Sequence, residues 1–148
     1  MSEPPDLMKE VGRWTEKAEH DYLAAEHAMA LAQEGLTDIV SFHCQQCAEK
    51  YLKALLLYLG EPFPKTHDLR LLLDLIPAGV SLGLSREQVI PLNRYVIEGR
   101  YPGDWEPITV PEAKHALEMA QAVRQAVLKQ LPLGRGQTPH APERREEQ

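Results

Sequence analysis

The sequence predicts an all-α protein, an antiparallel up-and-down bundle of four to five helices. Apolar residues recur at three- and four-residue steps through several long stretches, which is the spacing of one face of an α-helix. No run of strand length alternates β-branched or aromatic residues with polar ones, so the chain offers nothing from which a sheet could be built. Gly, Pro and helix-capping residues separate the periodic stretches.

Length and composition limit the domain organisation. The 148 residues are enough for one domain of ordinary size. We expect the helical bundle to span residues 1–133. Residues 134–148 contain Gly, Pro and charged residues but no apolar residues suited to a core, so we expect a disordered polar tail there.

Charge and hydropathy exclude several classes of function. The formal net charge of -6 argues against a sequence-independent nucleic-acid binder, which needs clustered Lys and Arg, although a local basic site remains compatible with it. No apolar run approaches the roughly 20 residues that cross a bilayer, and the acidic opening MSEPPDLMKE is not typical of a signal peptide. We therefore expect a soluble, cytoplasmic protein without a membrane partner.

The first two helices are predicted over residues 6–33 and 41–59. In the first, the apolar stripe runs from Leu7 through Trp14 and Tyr22, and Glu19 is expected to lie away from it. Gly35 and Gly60 are suited to the left-handed position that ends each helix. Thr37 or Asp38 is expected to cap the second helix, and the two helices should form an antiparallel hairpin.

The central helix carries the two cysteines and a polar stripe. Cys44 and Cys47 fall mid-helix on the core face, so we predict small core residues and not metal ligands, reactive thiols or a disulfide. On the other side lie Gln45, Glu49 and Lys53. As an exposed pair, Glu49 and Lys53 would contribute only ~0.2–0.5 kcal/mol. Apolar residues on both flanks of this stripe leave two interpretations open, a solvated face or the wall of a cleft or interface.

The short third helix is predicted to begin at Thr66. Thr66 is a suitable N-cap, His67 and Asp68 then fall in the first turn, and Pro77 ends the helix. The free N–H groups of such a turn favour anions, and Lys65 lies one residue before it. Taken alone, the position of His67 favours a local cap or a buried hydrogen-bonding residue over a functional one.

Two capping boxes are predicted in the second half of the chain. Ser85 with Gln88 marks a short helix, and Thr109 with Glu112 opens the last long helix. Arg124 falls inside the apolar stripe of that last helix, and we expect its charged end to reach water.

The irregular segment RYPGDW, residues 100–105, is rich in residues that recognise ligands. Arg100 could satisfy the last carbonyls of the preceding helix while Tyr101 packs beneath Pro102. Alternatively, Arg100 faces a phosphate, because a guanidinium offers a bidentate fork to oxyanions. The histidines form no recognised metal-binding pattern and no Gly-rich phosphate loop is present, so neither a metal nor a cofactor is predicted.

Three motifs in order, QQCAEKYLKALLLY, KTHDLRLLL and RYP before a capped last helix, resemble the HEPN family, helical domains associated with small nucleotidyltransferases in prokaryotes. The resemblance covers roughly residues 14–131. It implies a homodimer or higher homo-oligomer with a polar cleft where the helices meet. The family includes metal-independent ribonuclease toxins, toxins modified by a partner nucleotidyltransferase, and members proposed only to bind nucleotides.

The ribonuclease motif of that family is not reproduced. Ribonuclease members carry an Arg followed a few residues later by a His, but the corresponding positions after Arg100 hold Trp105, Glu106 and Pro107. The resemblance therefore implies a protein that binds a nucleotide or an RNA phosphate and works with a small nucleotidyltransferase, as in toxin-antitoxin systems. The expected ligand-binding residues are Gln45, Glu49, Lys53, Lys65, His67, Arg100 and Tyr101.

Two alternatives stay open. One is a metal-independent endoribonuclease toxin in which His67 moves protons and Arg100 stabilises charge. The other is a non-catalytic oligomeric module that only holds other proteins together.

Overall fold

The computed structural model of the chain describes residues 5–97 and 106–132. The described helices are α1 (Pro5–Met29), α2 (Thr37–Tyr58), α3 (Leu69–Leu75), α4 (Arg86–Val89), α5 (Arg94–Ile97) and α6 (Val110–Gln130). Short 3-10 turns occupy Ala32–Glu34 and Ile90–Asn93. No strand occurs within the described residues, and the predicted all-α fold is confirmed. The tail predicted over residues 134–148 lies outside them.

Helix α2 is the centre of the bundle. It pairs with α1 as an antiparallel hairpin and packs against α6, α3 and α5 as well. Most of its length is therefore enclosed by the chain itself, and its apolar side chains form the middle of the core. The fully buried large ones are Tyr51, Leu52, Leu55 and Leu56. A polar residue on α2 must consequently find a partner inside the protein.

The ends of α2 combine a confirmed and a corrected prediction. Gly60 has a φ of 75°, and the N–H groups of Gly60 and Glu61 donate to the carbonyls of Leu57 and Leu56, the Schellman arrangement. Gly35, with a φ of 91°, ends the 3-10 turn after α1. At its start, α2 begins at Thr37 and not at residue 41, and no side-chain hydrogen bond caps it.

The predicted start of α3 is wrong. Asp68, not Thr66, is the N-cap, because its Oδ1 accepts from the Arg70 N–H at 2.9 Å. Thr66 Oγ1 accepts instead from the Asp68 N–H at 3.0 Å, which forms a turn before the helix. Asp is a stronger N-cap than Thr, and it was available two residues later. His67 therefore precedes α3 and is not in its first turn.

The two predicted capping boxes are only partly formed. Thr109 Oγ1 accepts from the Glu112 N–H at 3.1 Å, as predicted. The Glu112 carboxylate instead accepts from Arg94 Nη1 at 2.8 Å and from the Tyr95 hydroxyl at 2.7 Å, which ties α6 to α5. Ser85 occupies the predicted N-cap position of α4 but makes no side-chain cap hydrogen bond.

An ion pair joins α1 to α6 across the core. Arg124 Nε and Nη2 donate to the two carboxylate oxygens of Glu19 at 2.7 and 2.9 Å, and Tyr51 of α2 donates its hydroxyl to the same carboxylate. Glu19 is only 3% exposed. The prediction that Glu19 lies away from the apolar stripe is therefore wrong. The side chain of Arg124 stays 20% exposed, but its guanidinium is directed at Glu19 because the two charges neutralise each other.

Within the described residues, no helix is both long enough and apolar enough to cross a membrane.

Replacing Arg124 with Ala should lower the free energy of unfolding by about 2–4 kcal/mol, because the Glu19 carboxylate is left buried without its counter-charge. Chemical denaturation at neutral pH measures this. Arg13→Ala is the matched control, since Arg13 forms an exposed pair with Glu10 and should have little effect. Equal effects of the two changes would contradict the structural role of the Glu19–Arg124 pair.

Candidate functional site

The side chain of Glu49 is the fixed point of the candidate site. It lies on α2, and the residue is 3% exposed. Lys53, one turn further along α2, donates to Oε2 at 2.9 Å. The side-chain amides of Gln45 and Gln46 both approach Oε1 at 3.3 Å. A buried carboxylate is costly unless it is paired and hydrogen-bonded, and these donors supply both conditions.

His67 completes the set of donors from outside the helix. Its Nδ1 lies 3.0 and 3.2 Å from the two carboxylate oxygens of Glu49. Its backbone carbonyl accepts from Gln45 Nε2 at 2.9 Å. Both the main chain and the ring of His67 are thereby attached to α2, yet the side chain is 60% exposed. A carboxylate on Nδ1 sets the ring orientation and leaves Nε2 for a ligand.

The backbone after His67 is fixed by Asn93. Its Oδ1 accepts from the Leu69 N–H at 2.8 Å, and its Nδ2 donates to Asp68 Oδ1 at 2.8 Å. The segment that carries His67 is thus attached to α2 on one side and to the turn Ile90–Asn93 on the other. Such attachment reduces the conformational freedom that a ligand would otherwise have to remove.

Lys53 links this site to a neighbouring aromatic pair. The residue is 6% exposed, and its Nζ lies 5.6 Å from the ring centroid of Trp14 and 5.9 Å from that of Phe63. Of the two interpretations of the Glu49 and Lys53 stripe, the solvated face is wrong. The pair is enclosed, and Lys53 is positioned to neutralise Glu49 and contact the two rings.

The structure brings together four of the predicted ligand-binding residues: Gln45, Glu49, Lys53 and His67. Lys65 is exposed two residues before His67. Arg100 and Tyr101 lie outside the described residues, so their place relative to this site stays a prediction. His67 is neither a cap nor buried; its exposed ring is held by one buried partner.

A second polar cluster, which the sequence reasoning missed, lies between α1 and α2. Asp21, 8% exposed, accepts from His43 Nδ1 and from Lys50 Nζ, both at 2.7 Å. Burial would raise the pKa of Asp21, but hydrogen bonds from His43 and Lys50 and their charges outweigh it, so the pKa lies below its usual value. The signal was present: Asp21 follows Ala18 by three residues and precedes Ala25 by four, the spacing of one helical face.

The described residues contain no group of three or more His, Cys, Asp or Glu side chains that could hold a metal ion. Cys44 and Cys47 are fully buried free thiols. Burial raises the pKa of Cys44 to about 12 and that of Cys47 well above its usual value. Both are core residues, as predicted, and not reactive thiolates.

Asp21→Asn should destabilise the protein by about 1–2 kcal/mol near pH 7, because the amide cannot replace the charged hydrogen bonds to His43 and Lys50. A carboxyl whose folded-state pKa is depressed contributes stability above its unfolded pKa and loses that stability as pH falls through the folded pKa. The difference between wild type and variant should therefore shrink as pH drops below the ordinary carboxyl value of 3.8. Urea denaturation across this pH range measures it.

Asp74→Asn serves as the control for that experiment, because Asp74 pairs with Arg86 at the surface. It should change stability little at any pH. A difference for Asp21→Asn that stays constant down to strongly acid pH would show that the Asp21 pKa is not depressed.

Comparison with known proteins assigns the fold to a family. The profile of the HEPN domain matches residues 11–131. The crystal structure of TT1696 from Thermus thermophilus is 30% identical, with a TM-score of 0.70 over 82% of this chain and 98% of that chain. The crystal structure of ST0689, an archaeal HEPN homologue, is 27% identical, with a TM-score of 0.63 over 81% of this chain and 96% of that one. No curated protein matches the chain. The chain belongs to the HEPN family.

Proposed function

We propose that this protein binds a nucleotide or an RNA phosphate at the surface around His67 and works beside a small nucleotidyltransferase. One observation carries the proposal: the exposed imidazole of His67 is held through Nδ1 by the buried carboxylate of Glu49. This contact supports a binding role because it fixes the orientation of a ring that is 60% exposed.

The anchor prepares His67 for an anion. While the Nδ1–H group donates a hydrogen bond to Glu49, a protonated ring offers its second donor, Nε2–H, to a phosphate oxygen. The ring is also held in one orientation before the ligand arrives, which lowers the entropic cost of binding. A neutral ring would offer Nε2 as an acceptor instead, so the ring with both nitrogens protonated is the form that can donate to a phosphate oxygen.

Two further cations belong to the proposed site. Lys65 is exposed on the same segment as His67 and adds a positive charge to a chain whose net charge is -6. Arg100 is included from the sequence, because a guanidinium beside an X-Pro bond suits bidentate phosphate binding. Lys53 is not proposed to bind the phosphate, because its charge is already paired with Glu49. Its role is to neutralise the carboxylate that orients His67.

Family membership supports the partner in this proposal. HEPN domains are associated with small nucleotidyltransferases in prokaryotes. For this chain we therefore propose such a partner and a toxin-antitoxin setting. We also propose a homodimer or higher homo-oligomer. Because α2 is enclosed by its own chain, we propose that the outer helices of the bundle make these contacts.

The test is a titration of purified protein with ATP and with a short single-stranded RNA. His67→Ala and Arg100→Ala should each weaken binding by at least about fivefold, since each removes a charge-assisted hydrogen bond to phosphate. The control is His115→Ala, because His115 is similarly exposed but lies on α6 and pairs only loosely with Glu118 at 3.9 Å. Unchanged affinity in both test variants would contradict the proposal.

A metal-independent endoribonuclease is the second candidate, and the same anchored imidazole favours it. A histidine with Nδ1 on a carboxylate can accept and return a proton through Nε2. The titrated RNA is therefore run on a gel after incubation in EDTA. Cleavage that His67→Ala abolishes would support the nuclease, and intact RNA with saturable binding would support the binding protein. If the RNA is neither bound nor cleaved, the result would favour the non-catalytic oligomeric module.

A further inference from the structure

A depression of about 420 Å³ lies on the outer side of the α1 and α2 hairpin. It is lined by Glu10, Arg13, Trp14, Lys17 and Lys50. Small-molecule sites commonly have volumes of ~300–1,000 Å³, so the depression is large enough for a compact ligand. None of the residues that hold His67 lines it, which makes it separate from the site described above.

Trp14 gives this depression a rigid aromatic wall. The Phe63 ring meets it edge to face, with centroids 6.1 Å apart and an interplanar angle of 74°. Lys53 Nζ lies 5.6 Å from the Trp14 centroid. Trp14 is nevertheless only partly buried and lines the depression as well. An indole held in this way offers a planar surface on which another ring can stack, and such stacking accepts any nucleobase.

The remaining lining residues make the depression cationic. Three of them are basic and one, Glu10, is acidic, in a chain whose net charge is -6. Arg13 is paired with Glu10 at 2.7 Å, and Lys50 with Asp21 at 2.7 Å. Lys17 is exposed and forms no such pair within the described part of the chain. Its ammonium group is therefore the one that an incoming anion would engage at least cost.

An aromatic wall beside cations matches the two parts of a nucleotide. We propose that the depression binds a nucleotide, with the base stacked on Trp14 and the phosphate held by Lys17. This second site does not rest on the function proposed for His67. The nucleotide is either free or a unit of an RNA strand, because both present the same base and phosphate.

Trp14 itself reports on this site. The chain has two tryptophans, and Trp105→Phe leaves Trp14 as the only one. In that background, AMP should quench the Trp14 fluorescence saturably. Adenosine should quench it at higher concentration, and ribose 5-phosphate should not quench it. Equal half-saturation by adenosine and AMP, or no quenching by AMP, would overturn the proposal.

Lys17→Gln identifies the phosphate contact. In the Trp105→Phe background it should raise the AMP concentration at half-saturation by at least about fivefold and leave that for adenosine unchanged. Lys9→Gln is the control, since Lys9 is an exposed lysine of the same helix that does not line the depression. Equal effects of the two variants on AMP would overturn the proposal.

Lys65→Gln separates this site from the one at His67. It should leave quenching by AMP unchanged even where it weakens total nucleotide binding. Loss of the quench in Lys65→Gln would show one site and overturn the inference of a second.

A six-nucleotide adenylate RNA distinguishes the source of the ligand. If the RNA quenches Trp14 at a lower nucleotide concentration than AMP does, the ligand is an RNA strand. If the RNA quenches equally or more weakly, the ligand is a free nucleotide. Quenching should require Lys17 in either case.

Discussion

Three carboxylates that are buried in the described part of the chain govern the structure of this bundle. Glu19, Asp21 and Glu49 are each less than a tenth exposed, so each requires a counter-charge and hydrogen-bond donors inside the protein. Glu19 pairs with Arg124 of α6, and Asp21 pairs with Lys50 across the hairpin. Glu49 pairs with Lys53 and His67. Each of these interactions ties α1 or α2 to another part of the chain, so the need to neutralise buried charge also fixes where neighbouring elements sit. The Glu49 interaction differs from the other two because one of its donors, His67, has an exposed side chain.

That difference is what gives the bundle a place for chemistry. Glu49 lies on α2, at the centre of the bundle, and its carboxylate contacts the exposed ring of His67. Gln45 holds the His67 carbonyl and Asn93 holds the residues after it, so the ring is positioned by rigid elements and not by a free loop. Lys53, on the other side of Glu49, contacts the Trp14 ring. The two candidate sites therefore share one support.

Some local features of the fold could be predicted from the sequence, whereas the long-range ion pairs could not. Gly60 and Thr109 act within a few residues of themselves, and both behave as predicted. The partner of Arg124 lies 105 residues away in the chain, and no spacing rule reaches that far. A charged residue inside an apolar stripe nevertheless implies a buried counter-charge, so Arg124 could have prompted a search for an acidic residue beside the α1 stripe. The Gln45, Glu49 and Lys53 stripe was found because one helix carries it. The attachment of His67 to Glu49 could not be predicted in this way, because it depends on how the segment before α3 returns to α2.

Glu49 holds His67 through Nδ1, so the exposed ring has Nε2 free for solvent or a ligand. The most direct measurement is the long-range proton–nitrogen NMR spectrum of the histidine side chains, in which the signals lost in His67→Ala identify that ring. We expect neutral His67 to carry its proton on Nδ1 and to have an unprotonated Nε2. A proton on Nε2 with a bare Nδ1, or a mixture like that of a histidine without a partner, would contradict it.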